Sequence, residues 1–167
     1  IDKDHPDLRI NIHIQQDVCT VSLDSSGASL HHRGYRTATN IAPINEVLAA
    51  GILILSGWEG QSNFLDPMCG SGTFLVEAAM IACNIPPNIN RKEFAFEKWN
   101  DWDADLFEKV EESLLKKIKD FHYDILGYDK APSAVHKATD NAKNANLEEY
   151  IKVEQRNFFE TEKESQG

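Results

Sequence analysis

Cysteine is scarce in this sequence. The sequence also has neither a long apolar run nor a leader segment. Three of the 167 residues are cysteine, and Cys19, Cys69 and Cys83 are widely spaced. Their odd number and spacing indicate neither a disulfide framework nor a metal quartet, and they fit a reducing compartment. No run is long enough to span a membrane, and no charged-then-apolar leader is present. The sequence therefore predicts a soluble, cytoplasmic protein with no metal site and no membrane partner.

Basic residues are also few. The chain carries 17 Lys and Arg against 27 Asp and Glu, which gives a formal net charge of −10. An acidic surface repels phosphate, and nucleic-acid affinity depends heavily on Lys and Arg. If RNA is a partner, we expect parts of the protein outside this chain to supply most of the affinity.

The most informative pattern is the string Asp-Pro-Met-Cys-Gly-Ser-Gly-Thr at residues 66–73. It follows a short apolar run and precedes an apolar segment with helical spacing, as in the first crossover of nucleotide-binding α/β folds. Gly70 and Gly72 permit positive φ angles and a close approach of the backbone to a ligand. No Gly-Lys-Ser/Thr follows, which excludes a P-loop, and the third glycine of a dinucleotide fingerprint is missing. The acidic Asp66 suits a ligand with a positive amino group and a sulfonium better than a pyrophosphate.

This string resembles the first motif of the class I S-adenosylmethionine-dependent methyltransferases. More narrowly, it resembles the RNA methyltransferases that carry a THUMP domain, specifically the bacterial enzymes that methylate guanine N2 of 23S ribosomal RNA. The resemblance implies an α/β, Rossmann-like sheet and S-adenosyl-L-methionine as cofactor. The alternative is an ordinary glycine turn between a strand and a helix. The residues that the resemblance assigns to the cofactor-binding loop are Asp66, Pro67, Cys69, Gly70, Ser71, Gly72 and Thr73.

Further cofactor-binding positions follow the next two predicted strands. Residues 122–127 are predicted to form the second strand, and Asp129 at its tip can accept hydrogen bonds from both hydroxyls of a ribose. Its neighbour Lys130 belongs to the same predicted site, although Asp129 could instead cap the helix predicted at 132–146. Residues 151–155 are predicted to form the third strand. After it, the resemblance implies that Asn157 accepts from the adenine amine in place of the usual Asp and that Phe158 covers the ring.

The N-terminal segment is predicted to be a β-hairpin linker. Residues 8–15 and 18–23 alternate apolar and polar side chains around Gln16-Asp17, which favours a hairpin. Residues 28–32 could add a third short strand. By resemblance, residues 1–38 are the end of the THUMP-side segment, and residues 39–167 are the N-terminal half of the S-adenosylmethionine-binding domain.

One short stretch combines basic and aromatic side chains. Arg33 and Arg36 could contact RNA phosphates while Tyr35 stacks on a base. The alternative is a solvated turn whose arginines pair with surface carboxylates.

Helices are predicted at residues 39–56, 73–83 and 103–118. The first would be capped by Thr39 or Asn40, and its apolar positions are expected to pack on the sheet. The second carries Glu77, its single charge, which we expect on the solvent side. The residues expected to face the sheet from the first helix are Ile44, Val47, Leu48, Ile52 and Leu55.

An insertion of about residues 86–121 lengthens the first crossover. Its string Phe-Ala-Phe-Glu-Lys-Trp is similar to an insertion in the ribosomal RNA guanine methyltransferases. The aromatic rings could stack on RNA bases, or they could cover the edge of the sheet. The cluster consists of Phe94, Phe96, Trp99 and Trp102.

The family's catalytic signature, Asn or Asp followed by Pro-Pro-Tyr or Pro-Pro-Phe, does not occur in this sequence. The catalytic residues are therefore unknown. The start at Ile1, without an initiator Met, suggests an excised fragment or a processed chain. The parent protein is expected to methylate the N2 amine of a guanine in 23S ribosomal RNA. The alternatives are a transfer RNA guanine-N2 or DNA adenine-N6 methyltransferase of the same fold, or a non-catalytic RNA-binding module. An open half-sheet would expose a strand edge, which predicts self-association.

Overall fold

The chain contains two separate sheets. A computed structural model describes residues 6–36 and 43–160, and within these it has five strands, four α-helices and two short 3-10 helices. Strands β1 (Ile10–Gln15) and β2 (Val18–Leu23) form an antiparallel pair. Strands β3 (Phe64–Asp66), β4 (Ile125–Asp129) and β5 (Ile151–Gln155) form a parallel sheet in the order β3-β4-β5. The predicted α/β fold with a preceding hairpin is therefore confirmed.

Four helices surround the parallel sheet or extend from it. Helix α1 (Glu46–Leu55) precedes β3, and α2 (Thr73–Ala82) follows it. Helix α3 (Ala104–Leu115) lies in the insertion between α2 and β4. Helix α4 (Pro132–Asn144) joins β4 to β5. Consecutive parallel strands are thus connected through helices, as parallel pairing requires.

The hairpin turn has the backbone geometry that a two-residue connection needs. Gln16 and Asp17 have φ angles of 48° and 61°, and both positive values suit a turn that matches the twist of the flanking strands. The predicted hairpin is confirmed, but the prediction of a third strand at 28–32 is wrong, because these residues form no strand. The carboxylate of Asp24 accepts hydrogen bonds from the backbone N–H groups of Ser26 and Gly27, at 3.0 and 3.1 Å. These bonds hold the chain in a turn directly after β2.

Helix α1 begins later than predicted. The side chain of Asn45 accepts from the N–H groups of Val47 and Leu48 and so caps the helix at this point. The predicted caps Thr39 and Asn40 lie outside the described residues. The predicted end is confirmed by Gly57, which follows the helix with a φ of 75°.

The buried face of α1 is also different from the predicted one. Ala49 and Leu53 are 0% and 3% exposed, whereas Leu48 and Leu55 are 56% and 89% exposed. The error has a physical cause. The helix sequence from Val47 onward is apolar on every side, so its periodicity does not select a face.

Helix α2 is the most deeply buried helix of the described structure. Leu75 and Val76 are fully buried, and the helix packs between α1, α4 and the parallel sheet. Its contact with β4 depends on Gly127, because a Cβ atom built there would overlap the side chain of Leu75. This close approach fixes the height of α2 above the sheet.

The insertion forms an aromatic cluster of its own. The ring centroid of Phe96 lies 5.1 Å from that of Phe94 and 5.4 Å from that of Trp102. Phe107 of α3 completes the cluster, with its ring 5.0 Å from Trp102. The N–H of Phe96 donates to the carbonyl of Ser25 at 3.1 Å, so the insertion also contacts the turn after the hairpin.

Candidate functional site

A cavity of about 530 Å³ opens beside the carboxyl end of β3. One wall comes from α1 and the residues before it, including Ile44 and Leu53. The other wall is the predicted loop after β3, from Asp66 to Ser71, together with Thr73. The loop therefore lines a space large enough to contain part of a small-molecule ligand.

The loop folds back over the end of β4. The N–H of Cys69 donates to the carbonyl of Tyr128 at 2.8 Å, and the N–H of Gly72 donates to the carbonyl of Cys69 at 2.8 Å. Gly70 and Gly72 have positive φ angles of 56° and 79°, as the sequence predicts. A Cβ atom at Gly72 would lie 3.0 Å from the Cβ of Ala138. Helix α4 therefore leaves little room for a side chain at position 72.

Asp66 is a half-buried carboxylate at the start of the loop. Its Oδ1 accepts from the N–H of Met68 at 3.1 Å. Burial raises the pKa of Asp66, the nearby charge of Asp129 raises it further, and the bond from Met68 opposes both effects. A cationic group entering the cavity would favour the ionised form of this carboxylate.

Asp129 ends β4 and contacts the loop directly. Its Oδ2 accepts from the N–H of Gly70 at 3.1 Å, which joins the two predicted parts of the site. Its Oδ1 accepts from the N–H of Ala131 at 2.9 Å, just before α4. The alternative role of Asp129 as the helix cap is wrong, because the N-cap of α4 is Ala131 and no side chain caps this helix. A carboxylate has about four acceptor positions, so two remain for ligand hydroxyls.

The remaining predicted positions lie further along the same edge of the sheet. The N–H of Arg156 donates to the carbonyl of Asp129 at 3.1 Å and brings the end of β5 alongside it. Lys130 has an exposed side chain. Asn157 bonds Glu160 and the N–H of Phe159 within its own turn, and Phe158 is 46% exposed.

Two protein-family models match this chain. A family model for the RMKL-like methyltransferase domain matches residues 33–167, which is most of the chain. The chain belongs to the RMKL-like methyltransferase family. A THUMP domain model matches residues 1–24, which contain the hairpin of this RMKL-like chain.

A curated relative of the RMKL-like chain is a longer protein. The Ribosomal RNA large subunit methyltransferase K/L of Vibrio campbellii is 38% identical over 155 residues. These residues are 90% of this chain and 22% of the relative, so the chain spans about a fifth of its length.

Two solved structures are also similar. SMU.472, described as a methyltransferase complexed with SAH, is 40% identical with a TM-score of 0.88, over 95% of this chain and 41% of that one. A predicted N6-adenine-specific DNA methylase from Listeria monocytogenes is 34% identical with a TM-score of 0.86. That match covers 94% of this chain and 41% of the methylase.

Arg33 and Tyr35 of the RMKL-like domain, which the sequence suggested as RNA contacts, are buried. Arg33 is 8% exposed, and its Nε and Nη2 lie 3.3 and 3.4 Å from the carboxylate oxygens of Glu77. Tyr35 is 2% exposed, and its carbonyl accepts from Asn144 Nδ2 at 3.1 Å. With these internal partners, direct RNA contact by Arg33 and Tyr35 stays a prediction that no described contact supports.

Glu77 does not lie on the solvent side, and that prediction is wrong. Glu77 is 2% exposed because Arg33, 44 residues earlier in the chain, supplies its counter-charge. Burial raises the pKa of Glu77, and the hydrogen bond and charge of Arg33 oppose this shift. No short-range sequence pattern predicts a pair at this separation.

Arg36 is the third predicted RNA contact, and it lies beside the cavity. Its Nη2 donates to Thr73 Oγ1 at 2.8 Å and to the carbonyl of Ile44 at 3.0 Å. Its Nε lies 3.1 Å from Oε1 of Glu46, which is 5% exposed. Glu46 was not among the predicted site residues. The acidic residue after the cap Asn45 was the available signal.

Cys69 lines the cavity as a neutral thiol. Burial raises its pKa to about 12, and the charges of Asp66 and Asp129 add to this effect. A thiol at this pKa is a poor nucleophile at neutral pH.

Across residues 6–36 and 43–160, no group of three or more His, Cys, Asp or Glu side chains could hold a metal ion. Among the same residues, no helix has the length and apolarity to cross a membrane.

Proposed function

We propose that the protein containing this chain transfers the methyl group of S-adenosylmethionine to the N2 amine of a guanine in large-subunit ribosomal RNA. Membership of the RMKL-like methyltransferase family supports the reaction class. The name of the Vibrio campbellii relative supports the ribosomal RNA substrate, and the SAH complex of SMU.472 supports the cofactor.

The observation that carries this proposal is the hydrogen bond from the N–H of Gly70 to Asp129 Oδ2, at 3.1 Å. It joins the glycine loop to the proposed ribose-binding carboxylate. The donors and acceptors present fit the cofactor. Asp129 has acceptor positions for ribose hydroxyls, and Asp66 offers a negative charge to an amino group. Asn157 would accept from the adenine amine with the second lone pair of its amide oxygen, which already accepts from the N–H of Phe159.

The role of these residues in the reaction would be binding and alignment. S-adenosylmethionine, when bound, supplies a methyl group on a sulfonium centre. Holding the cofactor in one orientation lets the amine lone pair approach the methyl group in line, which removes much of the entropic part of the barrier. A guanine in structured RNA must also leave its stack. Cys69 would stay neutral and form no covalent intermediate.

The first experiment is calorimetric titration with S-adenosylhomocysteine, using both this chain and the full-length protein. We expect saturable binding, weakened at least about tenfold by Asp129→Ala, the equivalent of about 1.4 kcal/mol. Asp124→Ala is the matched control, because Asp124 is an exposed carboxylate just before β4 that pairs with Lys152. A well-folded full-length protein that releases no heat would refute cofactor binding.

Identifying the substrate requires an assay with the full-length protein. We expect methyl transfer to large-subunit ribosomal RNA and N2-methylguanosine in the nucleoside digest, measured by mass spectrometry. N6-methyladenine in DNA would instead support the alternative suggested by the description of the Listeria structure. Binding of RNA without transfer to RNA or DNA would favour a non-catalytic module.

The domain division and the behaviour of the isolated chain are proposals as well. We infer that residues 1–38 connect a THUMP-side segment to the cofactor-binding residues 39–167. A ribosomal RNA substrate would place the protein in the cytoplasm. Strands β3 and β5 are the outer strands of the described parallel sheet, so we expect the isolated chain to self-associate. Light scattering that finds a monomer at all concentrations would contradict this.

A further inference from the structure

Arg36 connects three parts of the chain with one side chain. Its Nη2 donates to Thr73 Oγ1 at 2.8 Å and to the Ile44 carbonyl at 3.0 Å. Its Nε lies 3.1 Å from Glu46 Oε1, and the side chains of Arg36 and Glu46 are 13% and 6% exposed. A buried guanidinium needs both a counter-charge and hydrogen-bond acceptors. Glu46 supplies the charge, and Ile44 and Thr73 accept from Nη2, whereas the Nε–H has no hydrogen-bond partner among the described residues.

Two of these partners belong to the two different walls of the same cavity. Ile44 lies in the wall that precedes and includes α1, whereas Thr73 lies in the wall formed by the glycine loop and the start of α2. Arg36 is not among the residues that line the cavity, so its effect there must pass through the groups that it holds.

We propose that Arg36 is a positioning residue that fixes the separation of these two walls and thereby sets the affinity of the site for S-adenosylmethionine. This inference rests on the proposed function, because it assigns the cavity to that cofactor. The planar guanidinium suits the task, since one nitrogen bridges both walls while another faces Glu46. Lysine has a single nitrogen and cannot keep this arrangement of contacts.

The neighbouring Arg33 provides a matched control within the same chain. It is also buried and also pairs with a carboxylate, but its partner is Glu77, four residues beyond Thr73 on α2. Arg33 and Glu77 line a different groove, together with Ile54 and Trp58. Replacing Arg33 therefore disturbs a similar buried ion pair without touching the walls of the cofactor cavity.

The experiment compares four variants in the full-length protein: Arg36→Lys, Thr73→Val, Thr73→Ser and Arg33→Lys. Affinity for S-adenosylhomocysteine is measured by calorimetry, and melting temperature is measured separately. We expect Arg36→Lys and Thr73→Val to weaken binding about tenfold, and Thr73→Ser, which keeps the hydroxyl, to bind within about twofold of the original protein. Arg33→Lys is expected to lower the melting temperature while leaving the affinity unchanged.

The double variant Arg36→Lys/Thr73→Val separates positioning from direct contact. If Thr73 acts through Arg36, the double variant loses no more affinity than either single variant. Additive losses would overturn the proposal, because they would mean that the two side chains act independently.

The other outcomes are also distinguishable. If the original protein binds and Arg36→Lys and Thr73→Val bind equally well, Arg36 has only a structural role and the inference fails while the proposed function stands. If the original full-length protein does not bind, both fail. If Arg36→Lys does not fold, the comparison of Thr73→Val with Thr73→Ser decides, and equal affinities overturn the inference.

Discussion

At the scale of single residues, the ionised carboxylate of Asp66 lowers the stability of the folded protein when no ligand is bound. Its carboxylate is half-buried, with Asp129 as a second acid nearby, and its pKa is raised from 3.8. An acid whose pKa is higher in the folded protein than in the unfolded chain binds more protons when folded. Its contribution to stability is therefore present at low pH and is lost as the pH rises through the raised pKa.

Asp66→Asn should separate stability from binding. Asparagine cannot ionise, and its side-chain oxygen can still accept from the N–H of Met68. We expect a higher melting temperature than that of the original protein at neutral pH, and weaker binding of S-adenosylhomocysteine by about tenfold. In the original protein, affinity should increase as the pH rises through the pKa of Asp66, because the ionised form attracts the ligand's amino group.

Asp124→Asn is the control for this pH dependence. Asp124 is exposed and pairs with Lys152, so its replacement should change neither the melting temperature at neutral pH nor the affinity. A lower melting temperature for Asp66→Asn, with binding intact, would contradict this account of Asp66.

At the scale of secondary structure elements, the sequence predicted which elements form better than how they pack. The hairpin and the existence of three parallel strands were predictable because each is a short apolar or alternating run bounded by turn residues. The bounds of the second were not, because β4 runs from Ile125 to Asp129 and not over 122–127. The packing of α1 was not, because its sequence is apolar on every side. Its buried residues Ala49 and Leu53 share a face with Glu46, whose burial depends on Arg36.

Two leucines on α1 test this packing. Leu53→Ala should lower the free energy of unfolding of this chain by about 2–5 kcal/mol, since Leu53 is 3% exposed and its loss leaves a cavity. Leu48→Ala should change it by less than about 0.5 kcal/mol, since Leu48 is 56% exposed. Urea unfolding measures both. Equal losses would contradict this packing, and a larger loss for Leu48→Ala would mean that the predicted face is the buried one.

The insertion and the turn after the hairpin are joined chiefly through Arg91. Its Nη2 donates to the carbonyls of Ser26 and Ala28 at 2.6 and 2.7 Å, and its guanidinium carbon lies 4.6 Å from the ring centroid of Phe94. The N–H groups of Ala95 and Phe96 donate to Ser26 and Ser25 in the same contact. These bonds set the direction of the hairpin relative to the insertion.

Arg91→Ala should therefore loosen this junction. We expect hydrogen exchange to accelerate about tenfold at the N–H groups of Ala95 and Phe96, while exchange in β4 stays unchanged. Arg9→Ala is the control, because Arg9 is exposed and its side chain contacts the Gly27 carbonyl at 3.3 Å and the Asp24 carboxylate at 3.7 Å, but not the insertion. Equal exchange rates in Arg91→Ala and the original chain would show that the backbone bonds alone hold the junction.

At the scale of the whole molecule, charge and architecture limit what this chain can do alone. Its formal net charge is −10, and Arg33 and Arg36 pair with Glu77 and Glu46 inside the fold. The position of the loop beside Asp129 was predictable, because parallel strands bring their carboxyl ends to one edge. The internal ion pairs were not, because they join residues far apart in the sequence.

We expect this chain to bind large-subunit ribosomal RNA weakly, with a Kd above about 10 μM at physiological salt. The full-length protein should bind more tightly, because other parts must supply the positive charge. Filter binding of both proteins at several salt concentrations measures the difference. Submicromolar binding by the chain alone would contradict this expectation and would direct attention to its exposed cations.

The bond between Gly70 and Asp129 also determines the order in which the site can assemble. These residues are 59 positions apart, with the whole insertion between them. During synthesis, the glycine loop leaves the ribosome well before its partner, and closing so long a segment is slow compared with local folding. The loop therefore acquires its final shape late, after β4 has docked beside β3. Cofactor binding by the growing chain would therefore begin only after β4 has been synthesised and has docked beside β3.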